Sequence, residues 1–375
     1  MPDPRPPAEP GLEPLVSVVV ISYNHEKFIG QALQSVLDQQ ADWPMEVIVA
    51  DDASTDSTPE IIREFADKYP GRITPILRPS NTGARANFID ALNRTRGMYL
   101  AFCEGDDYWT DPAKLRRQVS LMEQNPDVTL CFHPVRRIWD DGSSRPESID
   151  AVERDLSLEK LLAANTMQTN SVVYRRLPSY DDIPDVMPLD WLLHIRHARQ
   201  GRMAVLPQVM AVYRRHAGGV WWDYAHNPER FWLTWGERHV AFFETLINDF
   251  RDAPEFHEHI ARSSADALKQ LLLHGLSDAD PPVLLRLLTS HPTWGKLALD
   301  QLSNELIALQ TARSSLDAKI VRSRRRLDGE RKKVRRIRAR AERAERRIDE
   351  MLQSRTWRIG RVFVAPTTMA RRKSK

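Results

Sequence analysis

Apolar and polar positions alternate in blocks along the first 220 residues. Leu15 to Ile21 is an apolar, β-branched run and predicts a buried strand. Ser22-Tyr23-Asn24-His25 breaks it, and Phe28, Ile29, Ala32, Leu33, Val36 and Leu37 then recur at helical spacing. Residues 45–50 predict a second strand, closed by Asp51-Asp52-Ala53-Ser54-Thr55-Asp56. Ser57 or Thr58 is placed to cap a helix with Pro59 at its first position. Ile73 to Leu77 is a third strand, Asn81-Thr82-Gly83 a turn, 84–96 a helix and 98–103 a further apolar strand. Beyond these come a helix at 112–124, a strand at Val128 to Phe132, a polar loop at 140–150 and a helix from Leu156 to Ala164. The polar segment from Thr166 to Ser171 enters a strand at Val172-Val173-Tyr174. Pro188-Leu189-Asp190-Trp191 opens a helix to about Arg199, and Val209 to Tyr213 is a strand.

Strand–helix alternation at this spacing predicts an α/β fold with a mostly parallel sheet flanked by helices. In such sheets ligands bind outside the carboxyl ends of the strands. The polar clusters 22–25, 51–56, 81–85 and 104–107 all fall there. The last belongs to Glu104-Gly105-Asp106-Asp107-Tyr108-Trp109, three carboxylates at the end of an apolar strand. They repel one another unless something positive lies between them, and a hard divalent cation with oxygen ligands is the usual solution. A cation held by one or two protein carboxylates keeps positions open for phosphate oxygens. The plainer reading is an acidic turn capping the helix near Pro112. Neither a G-x-G-x-x-G after the first strand nor a G-x-x-x-x-G-K-[ST] occurs, so no backbone phosphate cradle of those types is expected.

Residues 226–300 read as helices with a largely aromatic apolar set, expected as core. From 302 to 351 the spacing becomes a strict four-three repeat. Leu302, Leu306, Leu309, Arg313, Leu316, Ile320, Ser323, Leu327, Glu330, Val334, Ile337, Ala341, Ala344, Ile348 and Met351 form its seam, and twelve of these fifteen are apolar. That length predicts a self-associating coiled coil; a single solvated basic helix competes with it. The tail Trp357-Arg358-Ile359-Gly360-Arg361-Val362-Phe363-Val364 alternates bulky apolar and basic residues. It is suited to an anionic membrane surface, where each Lys or Arg contributes about 1 kcal/mol; a frayed terminus is the alternative.

Charge sharpens this division. Arg322 to Arg347 carries 14 Lys/Arg against 4 Asp/Glu, and Ser354 to Lys375 carries 7 Lys/Arg and no acids. With +10 there, +7 in the tail and +3 overall, the remaining residues hold −14. The basic charge therefore belongs to the C-terminal arm. Two cysteines, Cys103 and Cys131, exclude a disulfide framework and a zinc cluster. No apolar run approaches the ~20 residues of a membrane helix, and the Pro-rich, acidic N-terminus does not read as a signal peptide. The expected organisation is a disordered N-terminus (1–14), an α/β domain (15–220), a helical accessory region (221–300), a coiled coil (301–353) and a basic amphipathic tail (354–375). The expected location is cytoplasmic, with possible peripheral contact at the inner face of the cell membrane.

The ordered set Val18-Val19-Val20-Ile21-Ser22-Tyr23-Asn24, Val49 to Asp56, Asn81-Thr82-Gly83, Glu104-Gly105-Asp106-Asp107, Asp190-Trp191 and Tyr213-Arg214-Arg215-His216 resembles the family 2 glycosyltransferases of the GT-A fold. The resemblance covers roughly residues 15–220. It implies a nucleotide-sugar donor, a divalent cation (Mn2+ or Mg2+) and an inverting transfer. Position by position, it implies that Tyr23 lies near the nucleobase, that Asp52 binds the base, and that Arg85 approaches the nucleotide or its diphosphate. It places Asp106 toward the ribose or the metal and Asp107 on the metal. Asp190 matches the catalytic base, and His216 the late histidine near the metal or diphosphate. Asp190 has a plainer role open to it, as a carboxylate that stabilises a helix start.

Departures from the family pattern refine the expectation. Processive members carry Gln-x-x-Arg-Trp and membrane helices; here the region reads Tyr-Arg-Arg-His-Ala-Gly-Gly. That argues for adding one sugar or a few. Ile21 stands where many relatives have threonine, which removes one polar contact to the base. The coiled coil followed by Ser354-Arg355-Thr356-Trp357-Arg358 resembles tails on bacterial surface-polysaccharide transferases. The expected acceptor is a glycan or lipid-linked glycan, with no nucleic-acid partner. Two other functions compete. A sugar nucleotidyltransferase needs a Gly-rich loop with Arg and Lys where this chain has Ser-Tyr-Asn-His. A coiled-coil scaffold with a lapsed transferase domain has against it the intact carboxylates at 52, 106, 107 and 190.

Overall fold

β1 (Val16–Ser22) is the spine of the molecule, buried on both faces except at Ile21. It pairs in parallel with β2 (Met45–Asp51) on one side and β4 (Tyr99–Phe102) on the other. The computed structural model describes residues 13–139, 148–149, 156–274 and 287–353. The expected N-terminal stretch up to residue 12, most of the loop 140–150 and the basic tail 354–375 lie outside them.

With β3 (Ile73–Leu77), β6 (Val128–Phe132), β9 (Val173–Arg175) and β10 (Arg202–Val205), the main sheet has the order β10-β6-β9-β4-β1-β2-β3. Only β9 runs antiparallel to its neighbours. Helices α1 (Ile29–Leu37), α2 (Thr58–Lys68), α3 (Ala84–Asn93), α4 (Lys114–Gln124), α5 (Leu158–Ala163) and α6 (Leu189–Ala198) accompany it. Two apolar clusters, divided by the alternation of strand side chains, hold the layers together. The fold is the GT-A-like α/β fold expected from the sequence. One local correction concerns α2: the Ser57 side chain makes no capping bond, and Asp56 Oδ1 instead accepts from Thr58 N at 3.0 Å.

The chain leaves β1 toward β2 and β3, then crosses back to place β4 on β1's other side. The carboxyl ends of β1 and β4 therefore flank the point where strand order reverses, where open sheets form their ligand crevice. A second sheet stands beside it, in the order β5-β11-β7-β8, formed by β5 (Tyr108–Trp109), β7 (Arg136–Trp139), β8 (Ser148–Ile149) and β11 (Ala211–Arg215). β5 pairs antiparallel with β11, setting Trp109 opposite Ala211 and Tyr108 opposite Val212. This pairing brings the acidic turn before β5 to the segment after β11.

Helices α7 (Val220–His226), α8 (Pro228–Asp249) and α9 (His257–His274) follow. They share one compact unit, ending at Leu302, with the sheets. The aromatics of α8 are core: Phe242 packs on Trp191 of α6 with ring centres 4.9 Å apart. The second unit begins at Ser303. Its described part continues α10 (Pro292–Gln353), an unbroken helix of 62 residues. Seam residues Leu309, Leu316, Val334 and Ile337 are each more than half exposed in the single chain. No helix among the described residues is long and apolar enough to cross a membrane.

Candidate active site

The acidic turn is fitted tightly against the end of β1. Gly105 N donates to Ile21 O at 2.9 Å. A Cβ at position 105 would lie 2.8 Å from His25 Nδ1 and 3.1 Å from Ile21 O, so only glycine fits without movement. The turn feeds β5, and β5 recruits β11. Period-two alternation then sends residues 214 and 216 to the same side. Arg214 N donates to Asp107 Oδ1 at 2.8 Å. The Arg214 guanidinium donates to the carbonyl of Asp106 and to Gln31 Oε1 at 2.9 Å. It also lies over the Phe28 ring at 4.5 Å. His216 Nε2 comes to 2.9 Å from Asp106 Oδ2, and His25 Nε2 lies 3.9 Å from the same oxygen.

His25, Asp106 and His216 thus offer three ligand atoms all within 4.8 Å of one another. His25 Nδ1 is buried without a hydrogen-bond partner among the described residues. Two imidazoles and one carboxylate suit a divalent cation, so the donor set fits the metal that the sequence implies. Gly218 N donates to His216 Nδ1 at 3.2 Å, which in the neutral ring leaves the proton on Nε2, facing Asp106. To ligate through Nε2 the ring has to move that proton to Nδ1 and release the bond from Gly218, which lies at the long end of the hydrogen-bond range. Asp107, expected on the metal, stands outside this cluster. It is buried, with Oδ1 accepting from Arg214 N and Oδ2 from Asn170 Nδ2 at 2.7 Å. Its carboxylate fastens β11 and the 3-10 turn Thr169–Ser171 to the acidic turn.

Environment separates the three neighbouring carboxyls. Burial, then the charge of Asp106, pushes Glu104 up to about 8, so it holds its proton at neutral pH. Burial, then Asp106 and Glu104, also raises Asp107 well above the ordinary range. Burial works against an ionised Asp106 too, but His25 and His216 beside it outweigh that and hold its pKa below the usual value. Burial in turn lowers the pKa of His25, which favours a neutral ring with a lone pair to offer.

Asp190 lies in the first turn of α6, as the sequence predicts, with its side chain about one quarter exposed. Oδ2 accepts from Thr169 Oγ1 at 3.1 Å and from Asn165 Nδ2 at 3.3 Å. Among the described residues Oδ1 accepts only from Trp191 N, at 2.8 Å. Thr169 thus holds the candidate base from the 3-10 turn that Asp107 also anchors through Asn170.

The remaining expected residues divide. Asp52 is buried and ties β2 to the Asn-Thr-Gly turn. Its Oδ1 accepts from Thr82 N and Oγ1, both at 2.8 Å, and its Oδ2 from Gly83 N at 2.9 Å. Tyr23 is 45% exposed at the end of β1. Arg85, expected near the nucleotide or its diphosphate, has its guanidinium donating to the carbonyl of Ile183, with Nε at 3.0 Å. Three residues without an assigned role in the sequence reading prove central: His25, Asn170 and Arg214. The alternation of residues 214 and 216 was a usable signal for Arg214. Nothing in the local sequence marks Asn170, whose partners Asp107 and Val212 are distant in the chain.

Comparison with known proteins identifies the family and the fold. The sequence profile of "Glycosyl transferase family 2" matches residues 17–218, more than half of the chain. An uncharacterized protein of Mycobacterium tuberculosis is 48% identical over 288 residues, which take in 76% of this chain and 82% of that one. An uncharacterized glycosyltransferase of Methanocaldococcus jannaschii is 31% identical over 177 residues, 45% of this chain and 60% of the relative. Among solved structures, residues 1–349 of TarS from S. aureus, in complex with UDP-GlcNAc, share the fold. The TM-score is 0.52 at 20% identity, covering 76% of this chain and 80% of that one.

Proposed function

Since the chain belongs to the family 2 glycosyltransferases, we propose that it is an inverting, non-processive enzyme. It moves a sugar from a nucleotide-sugar donor, a UDP-sugar first, to a glycan or lipid-linked acceptor in cell-surface polysaccharide synthesis. The observation that carries this reading is a division of labour at one end of one sheet. An ionised carboxylate sits between two imidazoles at Asp106, and a second carboxyl, Asp190, is held part-exposed by neutral donors.

Inversion is a single displacement. The acceptor oxygen bonds to the anomeric carbon from the face opposite the diphosphate, and the carbon–oxygen bond to the diphosphate breaks with its electron pair on the leaving oxygen. The hydroxyl proton passes to Asp190. Oδ1 is the atom suited to take it, since Oδ2 already accepts two hydrogen bonds. Asn165 and Thr169 orient the carboxyl, and a protonated Glu104 adds no negative charge beside it. Proton transfer of this kind contributes about 10²–10⁴-fold. Mn2+ or Mg2+ held by Asp106 and His216 would stabilise charge on the departing diphosphate. Asp107 acts on this site by holding β11 in place. Tyr23 offers a ring face to the nucleobase, and Asp52 Oδ2 keeps a lone pair for a base N–H.

The seam of α10 pairs with further copies of the chain, and the basic tail contacts the inner face of the membrane. A screen of nucleotide-sugar donors for nucleotide release, with Mn2+ or Mg2+, tests the reading. Asp190→Asn is expected to keep donor binding, seen as protection against heating, and to lose transfer by about 10²–10⁴-fold. Transfer at the wild-type rate would remove Asp190 as the base. No turnover of any UDP-, GDP- or dTDP-sugar would favour the scaffold function instead.

A further inference from the structure

We infer that His25 is a third protein ligand of the divalent cation, completing a two-imidazole, one-carboxylate set that favours a first-row transition ion over Mg2+. The inference rests on the metal reading of Asp106 and His216 and adds a residue to it. It begins with what His25 does not do. Among the described residues its ring makes no hydrogen bond: Nδ1 is buried without a partner, and Nε2 stands 3.9 Å from Asp106 Oδ2. Two atoms each about 2.1 Å from one ion lie about 3 Å apart at a right angle and about 4.2 Å apart when opposite. A separation of 3.9 Å is too long for a hydrogen bond and falls within that range.

The backbone holds the ring there without help from the side chain. His25 N donates to Thr58 Oγ1 at 2.9 Å. Its carbonyl accepts from Phe28 N and Ile29 N, both at 2.9 Å, which starts α1. The acidic turn makes room for the ring, since any side chain at Gly105 would press on Nδ1. The ring of His216 approaches at 6.1 Å between centres and at 83°, so the two imidazoles meet edge to face around one carboxylate. Elements far apart in sequence thus converge on a ring that makes no hydrogen bond among the described residues. Imidazole nitrogen suits transition ions, whereas Mg2+ prefers oxygen ligands and water.

The test is Mn2+ uptake by the full chain, with and without UDP, followed by electron paramagnetic resonance. In the wild-type protein, electron spin echo modulation should report two imidazole nitrogens on Mn2+, and competition should show Mn2+ bound at least tenfold more tightly than Mg2+. His25→Ala and the milder His25→Gln should each lose one nitrogen coupling and about tenfold or more in Mn2+ affinity, with an unchanged near-ultraviolet circular dichroism spectrum. If both variants bind Mn2+ as the wild type does, with the same couplings, His25 is not a ligand while the metal site stands. If the wild type binds Mn2+ no better than Asp106→Asn does, with or without UDP, the metal reading fails and this inference fails with it.

Discussion

Replacing Lys114 by methionine is expected to stabilise the protein at neutral pH. Lys114 lies on α4 and is fully buried. Its Nζ sits 4.2 Å from the centre of the Trp109 ring and has no hydrogen-bond partner among the described residues. Burial lowers its pKa from 10.5 to about 7. Between those values the unfolded chain keeps a proton that the folded chain gives up. Stability therefore falls as the pH drops from 10.5 toward 7, and the loss is fully developed below the folded pKa. At about 1.4 kcal/mol per pH unit, the deficit at pH 7 is about 5 kcal/mol. Lys114→Met removes this deficit, so the expected gain at pH 7 is on the order of 3–5 kcal/mol. Near pH 9.5 the gain should shrink to about 1 kcal/mol or less. Urea denaturation of the two full-length proteins at pH 7.0, 8.25 and 9.5 measures the difference. Curves that stay parallel across the series, or a lower midpoint for the variant at pH 7, would refute the reasoning. The residue also bears on the site, because Trp109 Nε1 donates to the carbonyl of Asn170 and Asn170 holds Asp107.

Two further outcomes follow from the same geometry. Asp107→Ala should leave Arg214 N and one Asn170 N–H without an acceptor, costing about 2–4 kcal/mol. Differential scanning calorimetry should show a lower melting temperature, and Mn2+ titration a weaker affinity as β11 loses its anchor; a variant unchanged in both would make Asp107 dispensable to the site. Leu316→Lys combined with Ile337→Lys should turn an oligomer into a monomer in sedimentation velocity while leaving the unfolding of the N-terminal unit unchanged, and an unaltered sedimentation coefficient would show that the seam does not pair.

Much of the fold was legible because its signals are local. The run 15–21 and the apolar 98–103 are strands in any context, and polar clusters after each mark one edge of a parallel sheet. Asp190 was legible as the first-turn residue of a helix. The contacts that build the site were not, because they join distant segments. β5 has two residues, too few to display a period, yet its pairing with β11 carries residue 216 to residue 106. For the same reason the sequence could not say which of Asp106 and Asp107 faces the crevice. Neighbours in a turn point in different directions, and only the start of β5 decides which. Nor could the sequence show that the Arg85 guanidinium meets the carbonyl of Ile183, 98 residues later.

The acidic turn then shows why three carboxyls are present where one cation would need fewer. Were all three ionised, their mutual repulsion would weigh on the fold. Each instead meets a different neighbourhood. Glu104 is buried and keeps its proton at neutral pH. Asp107 turns inward, where two fixed donors, Arg214 N and Asn170 Nδ2, meet its oxygens. Asp106 alone combines a lowered pKa with partial exposure and two imidazoles in reach. Within the acidic turn, negative charge is thereby concentrated on Asp106, the carboxylate beside the two imidazoles. The same pattern predicts which substitutions are interchangeable. Glu104→Gln preserves a neutral side chain of the same shape and should be mild, whereas Asp106→Asn removes the only carboxylate of the proposed metal set and should abolish Mn2+ uptake.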